Sequence, residues 1–358
     1  MSSLVSPGIE TLRPYAAGKP IEEVTRELGI ADVIKLASNE NPLGPSPKAL
    51  EAAAAALSGA HRYPDASAHA LRTELARQHG VSMDELIQGN GSNEILELLV
   101  RTFTTPEQHI VFAEPSFVVY RMAALAHGVP FTAVPLRNQV HDLDAMLAAI
   151  TDKTRLVFIA NPNNPTGTHV GQGALGRFLT AVPDHVIVAL DEAYFEYATA
   201  ADYPDGLKNR GLHKKLVVLR TFSKIHGLAA FRVGYAIGDA ELVGYMHRVR
   251  APFNVGIVGQ VAALAALADT DHVSRSRELN ESERSRLAAG LQNLGIEPVP
   301  SQGNFLFFEA PISAASLYDA LLQKGVIVRA FAGAQIRVTV GLPAENQRFL
   351  TALGEVLA

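Results

Sequence analysis

Lys224 stands in the segment TFSKIHGLAAFRVGY, just past an apolar run. A neutral lysine amine is both a nucleophile and a base, although a lone lysine is nearly always a solvated surface residue. Asp191 ends another apolar run, where an ionised carboxylate is costly unless a cation pairs with it. A core aspartate capping a loop is the plainer reading. GNGSNE (Gly89–Glu94) follows a short apolar run and opens a helical pattern. Its glycines allow a tight turn, and the amides near Ser92 and Asn93 can bind an anion, or else simply start a helix. The same turn matches half of a dinucleotide fingerprint but lacks the third glycine, which argues against nicotinamide chemistry. NPNNPTG (Asn161–Gly167) has the composition of a turn. The twelve histidines form no metal-ligand pairs on one helical face, so no metal is expected. His226, two positions after Lys224, is the only one near these segments and reads as a neighbour of the site.

Buried elements must hold these residues. Helical patterns run over 47–57, 68–79, 93–103 and 117–127, and strand-like runs over 109–113, 155–160, 186–190 and 215–219. The strand-like runs are nearly continuous in Val, Ile and Leu, as in strands buried on both faces of a mostly parallel sheet. In such sheets ligands bind beyond the carboxyl ends of the strands, and three runs deliver NPNNPTG, DEAY and TFSK there. After about residue 251 the pattern changes. A long helical region over 255–294 leads into strand-like runs at 304–309, 326–329 and 335–340, with helical patterns at 313–323 and 344–357. The expected architecture is α/β, with a large domain over 46–255 and a smaller α+β domain over 256–358. Residues 1–45 form an amino-terminal arm that completes the smaller domain.

Composition is that of an ordinary globular protein. A net charge of −5 with both signs interspersed offers no basic stripe for nucleic acid and no membrane patch. The absence of cysteine excludes disulfides, thiolate zinc sites and cysteine nucleophiles. No apolar run approaches the roughly 20 residues of a membrane span, and the first residues lack the pattern of a signal peptide, so a cytoplasmic protein is expected.

Asn164, Asp191, Lys224 and Arg232 occur in that order, and in this the chain closely resembles fold-type I aminotransferases. Within them it is similar to the histidinol-phosphate aminotransferase family. The resemblance runs through LRPYAAGKP, KLASNENPLGPSPKA, HRYPD, GNGSNEILEL, NPNNPTGT, LDEAYFEY, RTFSK, GLAAFRVGY, APFN, GNF and IRVTVGLPAENQRFL, nearly the whole chain. It implies the pyridoxal-phosphate-dependent transferase fold of type I, with pyridoxal 5′-phosphate on Lys224 as a Schiff base. Lys224 would also shuttle the proton between the substrate Cα and C4′ of the cofactor. Asp191 would hold the pyridine nitrogen protonated, which keeps the ring an electron sink. Asn164 and Tyr194 would bond its phenolic oxygen, and Phe117 would stack on the ring. The phosphate would sit on the Ser92 and Asn93 amides, the Thr221 and Ser223 hydroxyls and Arg232, whose guanidinium fork suits it. Tyr63 would reach that phosphate from a partner subunit, implying a homodimer with shared sites.

The resemblance also places Arg337 on the substrate carboxylate or phosphate, with Arg329 as a second cation and Tyr15 and Asn39 as substrate contacts. The implied reaction is histidinol phosphate plus 2-oxoglutarate to imidazole acetol phosphate plus glutamate, in histidine biosynthesis. Two departures stand out. Ile225-His226 replaces a small residue followed by an aromatic one, and the loop AFAGAQI between Arg329 and Arg337 is short. That loop is also similar to relatives acting on phenylalanine, so an aromatic amino acid aminotransferase is the alternative.

Overall fold

The computed structural model describes residues 4–15 and 18–358; Met1–Ser3, and Ala16 and Ala17 of the LRPYAAGKP motif, lie outside the described residues. Its strands in chain order are β1 (Ile34–Lys35), β2 (Leu86–Gly89), β3 (His109–Glu114), β4 (Phe131–Pro135), β5 (Thr154–Ala160) and β6 (Ile187–Asp191). There follow β7 (Leu216–Thr221), β8 (Gly234–Ile237), β9 (Phe305–Glu309), β10 (Val326–Ile327), β11 (Arg329–Ala330) and β12 (Gln335–Thr339). Seven of them form one sheet in the order β2-β8-β7-β6-β5-β3-β4. Only β8 runs against its neighbours; the rest of the pairings are parallel.

Alternation of side chains along the strands divides the interior in two. Phe112, Phe158, Ala189 and Leu219 face one side, where Ile95, Leu99, Tyr120 and Met246 cover them. Val111, Val157, Ile159, Val188 and Val218 face the other, against Met146, Leu175 and Phe178. Both faces are covered, which is why β6 and β7 are buried at every position and open with apolar runs, over 187–190 and 216–219.

A separate core lies at the carboxyl-terminal end. β12 pairs antiparallel with β9 and β11, and Leu306, Phe308 and Val338 pack there on Leu287, Leu321, Phe349 and Leu353. Ile34 and Leu36 join this core from the amino-terminal side, and β1 pairs with β10.

Several elements differ from the sequence expectation. The helical region over 255–294 is two helices, Ile257–Leu267 and Thr270–Asn293, because the Asp269 side chain accepts from the His272 amide and starts the second. The run over 326–329 is split between β10 and β11, which belong to different sheets. β4 and β8 had no clear signal: β4 is a half-exposed edge strand and β8 is only four residues long.

Tyr120 and Phe158 stack at 4.7 Å with their rings 4° from parallel. Truncating Phe158 opens a void beneath the sheet and costs about 3–5 kcal/mol. Phe158→Ala is therefore expected to unfold at a clearly lower denaturant concentration, and an unmoved midpoint would contradict this packing.

Candidate active site

The strand ends converge as the sheet topology requires. Asp191 is the last residue of β6 and lies opposite Ala160, the last residue of β5. Thr221 ends β7 opposite Gly234. Beyond these ends lies a cavity of about 490 Å³. Asp191, Tyr194, Asn164 and Phe117 line its floor; Ser92, Asn93, Thr221, Ser223 and Arg232 line one end. Arg337, Tyr15 and Asn39 line the remainder, and Lys224 projects among them.

Lys224 is partly buried, and among the described residues its Nζ donates a hydrogen bond only to the Ser38 carbonyl, at 3.2 Å. Desolvation, helped by the Arg337 and Arg232 cations, pulls its pKa down to about 8, while Glu40 and Asp191 act the other way. A free amine is thus available near neutral pH. Asp191 is 4% exposed. Burial pushes its carboxyl up to about 6, opposed by hydrogen bonds from the Tyr120 hydroxyl at 2.8 Å and the Ala193 amide at 3.2 Å. Those two donors leave acceptor capacity on the carboxylate that a protonated ligand nitrogen would satisfy.

At one end Arg337 donates to Asn164 Oδ1 and, at 2.7 Å, to the Ala37 carbonyl, and its Nε has no partner. With its oxygen engaged, Asn164 keeps its amide hydrogens for a ligand. Tyr194 Oη accepts from Asn39 Nδ2 at 2.9 Å, so its own proton is free to be donated into the cavity. At the other end Gly91, at φ 74°, precedes the helix Ser92–Phe103, whose first two residues line the cavity. A Cβ on Gly91 would sit 2.4 Å from Arg232 Nη2, so the glycine gives the guanidinium its room. Arg232 itself is held in the left-handed region and donates to the Ala229 carbonyl at 3.0 Å. The result is a compact anion cradle of helix amides, two hydroxyls and one guanidinium.

The aminotransferase class I and II family model matches residues 31–353. The chain belongs to the class I and II aminotransferase family. It is 50% identical to histidinol-phosphate aminotransferase 2 of Pseudomonas fluorescens, over 99% of this chain and 98% of that one. It is also 50% identical to histidinol-phosphate aminotransferase of an Anaeromyxobacter species, over 99% of each chain. Among solved structures, histidinol-phosphate aminotransferase of Sinorhizobium meliloti, in complex with pyridoxal-5′-phosphate, superposes with a TM-score of 0.91. That pair is 28% identical and the match covers 100% of this chain and 98% of the other. The α/β architecture expected from the sequence is therefore the fold of this aminotransferase family.

Two expected residues stand apart from the cavity of this aminotransferase chain. Tyr63 is 83% exposed and stacks on Phe253 at 4.6 Å, away from its own chain's cavity. Arg329 lines an adjoining cavity, 5.5 Å from the centre of the Tyr15 ring. Asn39 lines the cavity, but Tyr194 and Thr339 already take both ends of its amide.

Sequence reading passed over several contributors. Tyr120 holds Asp191 from the helix Val119–Ala126 and looked like any apolar helix position. Ser38 acts through its carbonyl, which no side-chain motif reveals. Glu192 and Arg220 flank the motif residues on β6 and β7. Arg220 donates to Glu192 through Nε and Nη2 at 3.1 and 2.9 Å, and to Asp205 at 2.9 Å. Burial raises the Glu192 carboxyl, and the guanidinium pulls the other way. The Gly206 amide adds a third donor at 2.8 Å, which makes the ionised pair the satisfied state.

The Asp191 shift has a consequence for stability. Its folded pKa of about 6 exceeds its ordinary 3.8, so the folded cofactor-free chain binds the extra proton. The resulting stabilisation is present below pH 4 and is lost as pH rises through 6. It amounts to on the order of 3 kcal/mol. Comparing cofactor-free wild type with Asp191→Asn between pH 4 and 7, the variant should gain stability relative to wild type as pH rises. Parallel curves would remove the desolvation argument.

Proposed function

We propose that this chain is a pyridoxal-phosphate-dependent histidinol-phosphate aminotransferase, acting in histidine biosynthesis. It converts histidinol phosphate and 2-oxoglutarate to imidazole acetol phosphate and glutamate. The observation that carries this reading is 50% identity, over 99% of the chain, to proteins named for that activity.

The cavity fits the cofactor. A buried carboxylate with spare acceptor capacity, an anion cradle and a lysine with a depressed pKa stand around one space. When bound, pyridoxal phosphate supplies an aldehyde that takes up amino groups and a pyridinium ring that accepts electrons. In this reading Asp191 holds the proton on the ring nitrogen, and Tyr120 holds Asp191. Tyr194 Oη and Asn164 Nδ2 donate to the phenolic oxygen, while Phe117 lies against the ring. Ser92, Asn93, Thr221, Ser223 and Arg232 grip the phosphate. Lys224 would hold the cofactor through its amine, and the same amine, when free, would carry the proton to and from the substrate Cα. Arg337, with two N–H groups already braced, presents the rest of its fork to the substrate anion, with Arg329 beside it.

The active unit in this reading is a cytoplasmic homodimer whose Tyr63 completes the partner's phosphate site. The exposed Tyr63–Phe253 stack, with Leu50 and Leu57 exposed nearby in the chain, supports that surface. Among the described residues no helix is long and apolar enough to cross a membrane.

Borohydride reduction of the holoenzyme should fix the cofactor on the peptide carrying Lys224, and Lys224→Ala should abolish turnover while some non-covalent cofactor binding remains. Label on a different lysine would overturn the site. The substrate is tested by kcat/KM for histidinol phosphate against phenylalanine. Phe117, Phe331 and Met122 give the adjoining cavity an apolar wall that a phenyl ring could use. A higher value for histidinol phosphate is expected, and a clear preference for phenylalanine would make the chain an aromatic amino acid aminotransferase.

A further inference from the structure

Past Asn164 and Arg337 the active-site cavity continues into a second one of about 480 Å³. Its lining includes the amino-terminal strap Thr11–Tyr15 together with Arg329, Phe331 and Arg337. Four guanidinium groups border this space, those of Arg13, Arg121, Arg329 and Arg337, with a single carboxylate, Glu114. Glu114 is paired with Arg121, which also lies 5.0 Å from the Phe131 ring centre, so that pair is neutral and engaged. Arg337 is braced by Asn164 and Ala37, and Arg329 lies by the Tyr15 and Phe331 rings. Among the described residues Arg13 makes no hydrogen bond or ion pair, although it faces the same space.

The strap is anchored by backbone approach. In the short helix Pro7–Thr11, Gly8 lies so close to the helix Val119–Ala126 that a Cβ on it would be 2.1 Å from the Leu125 carbonyl oxygen. Backbone cannot yield that distance without the strap lifting. The helix it rests on also supplies Met122 to both cavities, so the seating of the strap and the shape of the site are linked.

Resting on the histidinol-phosphate reading, we infer that Arg13 is a specificity-determining residue that recognises the phosphate of the substrate and that Gly8 seats it. A carboxylate carries one negative charge, which Arg337 can balance. A phosphate monoester carries about −1.5 to −2 at neutral pH and three acceptor oxygens, so it calls for further guanidinium groups. Arg329 and Arg13, which line the same cavity, supply them. Arg13 therefore matters more for the phosphorylated substrate than for glutamate, whose α-carboxylate brings a single charge to the same place.

The test measures KM and kcat of the holoenzyme for histidinol phosphate and for glutamate in wild type, Arg13→Gln, Arg13→Lys and Gly8→Ala. Arg13→Gln should raise KM for histidinol phosphate about tenfold, the loss of one charge-assisted hydrogen bond, with kcat and the glutamate KM within about twofold. Arg13→Lys should recover part of the loss. Gly8→Ala should reproduce the selective defect with the cation still present. Equal effects on both substrates, or none on either, would overturn the assignment of Arg13. If wild type itself prefers phenylalanine to histidinol phosphate, the reading and this inference both fail. If wild type prefers histidinol phosphate and Arg13→Gln leaves its KM unmoved, the inference alone fails.

Discussion

A carboxylate at the end of a buried strand governs much of this structure. Asp191 is carried to the end of β6 by a run of residues buried on both faces, and nothing apolar around it can stabilise its charge. Two donors from the protein, Tyr120 Oη and the Ala193 amide, satisfy only part of it. The remainder is an electrostatic demand for a cation at one point in space. The cation of Lys224 lies close enough to help but is itself desolvated, and Arg337 and Arg232 push its proton off. Two groups of opposite sign therefore line one cavity without pairing directly, and desolvation shifts each toward its neutral form. That arrangement is unstable as an ion pair and suited to a ligand that brings its own protonated ring nitrogen and takes up the amine.

The sheet handles its other buried charge differently. One residue past Asp191, Glu192 meets Arg220, the residue before Thr221, and that contact closes within the protein. Phe195 lies 3.5 Å under the guanidinium and Asp205 takes a further N–H, so the cluster is internally satisfied. It joins the ends of β6 and β7 next to the positions where Asp191 and Thr221 face the cavity. One motif thus carries two acids with opposite fates: Glu192 is paired and fixes geometry, while Asp191 is left under-paired for a ligand.

The strand runs, their parallel sheet and the loops beyond their ends were legible in the sequence because burial on both faces writes itself as unbroken Val, Ile and Leu. Asn164, Asp191, Lys224 and Arg232 were legible as a set through family resemblance, since each alone has an ordinary structural reading. What stayed hidden acts through backbone or through surroundings. Ser38 holds Lys224 by a carbonyl, Tyr120 looks like a core aromatic, and Arg220 reads as an interruption in an apolar strand. β8 was missed because GYAI is too short to show a period. The break at Asp269 was missed because alanine-rich and charged helical turns follow each other there with only a cap between them.

The segment Ala37–Asn41 shows how the two cores are made to act on one site. Its carbonyl at Ala37 braces Arg337, its carbonyl at Ser38 holds Lys224, and Asn39 fixes Tyr194. Asn41 then bridges the Ile225 carbonyl and the Ser276 hydroxyl of the long helix Thr270–Asn293. Just upstream, Leu36 is packed in the carboxyl-terminal core. Five consecutive residues thus fix the Lys224 amine, the Arg337 guanidinium and the Tyr194 hydroxyl around one cavity. A shift of the carboxyl-terminal core relative to the sheet cannot move one of these without the others. The relative placement of that amine, guanidinium and hydroxyl is consequently set by this short backbone stretch as well as by the side chains that line the cavity.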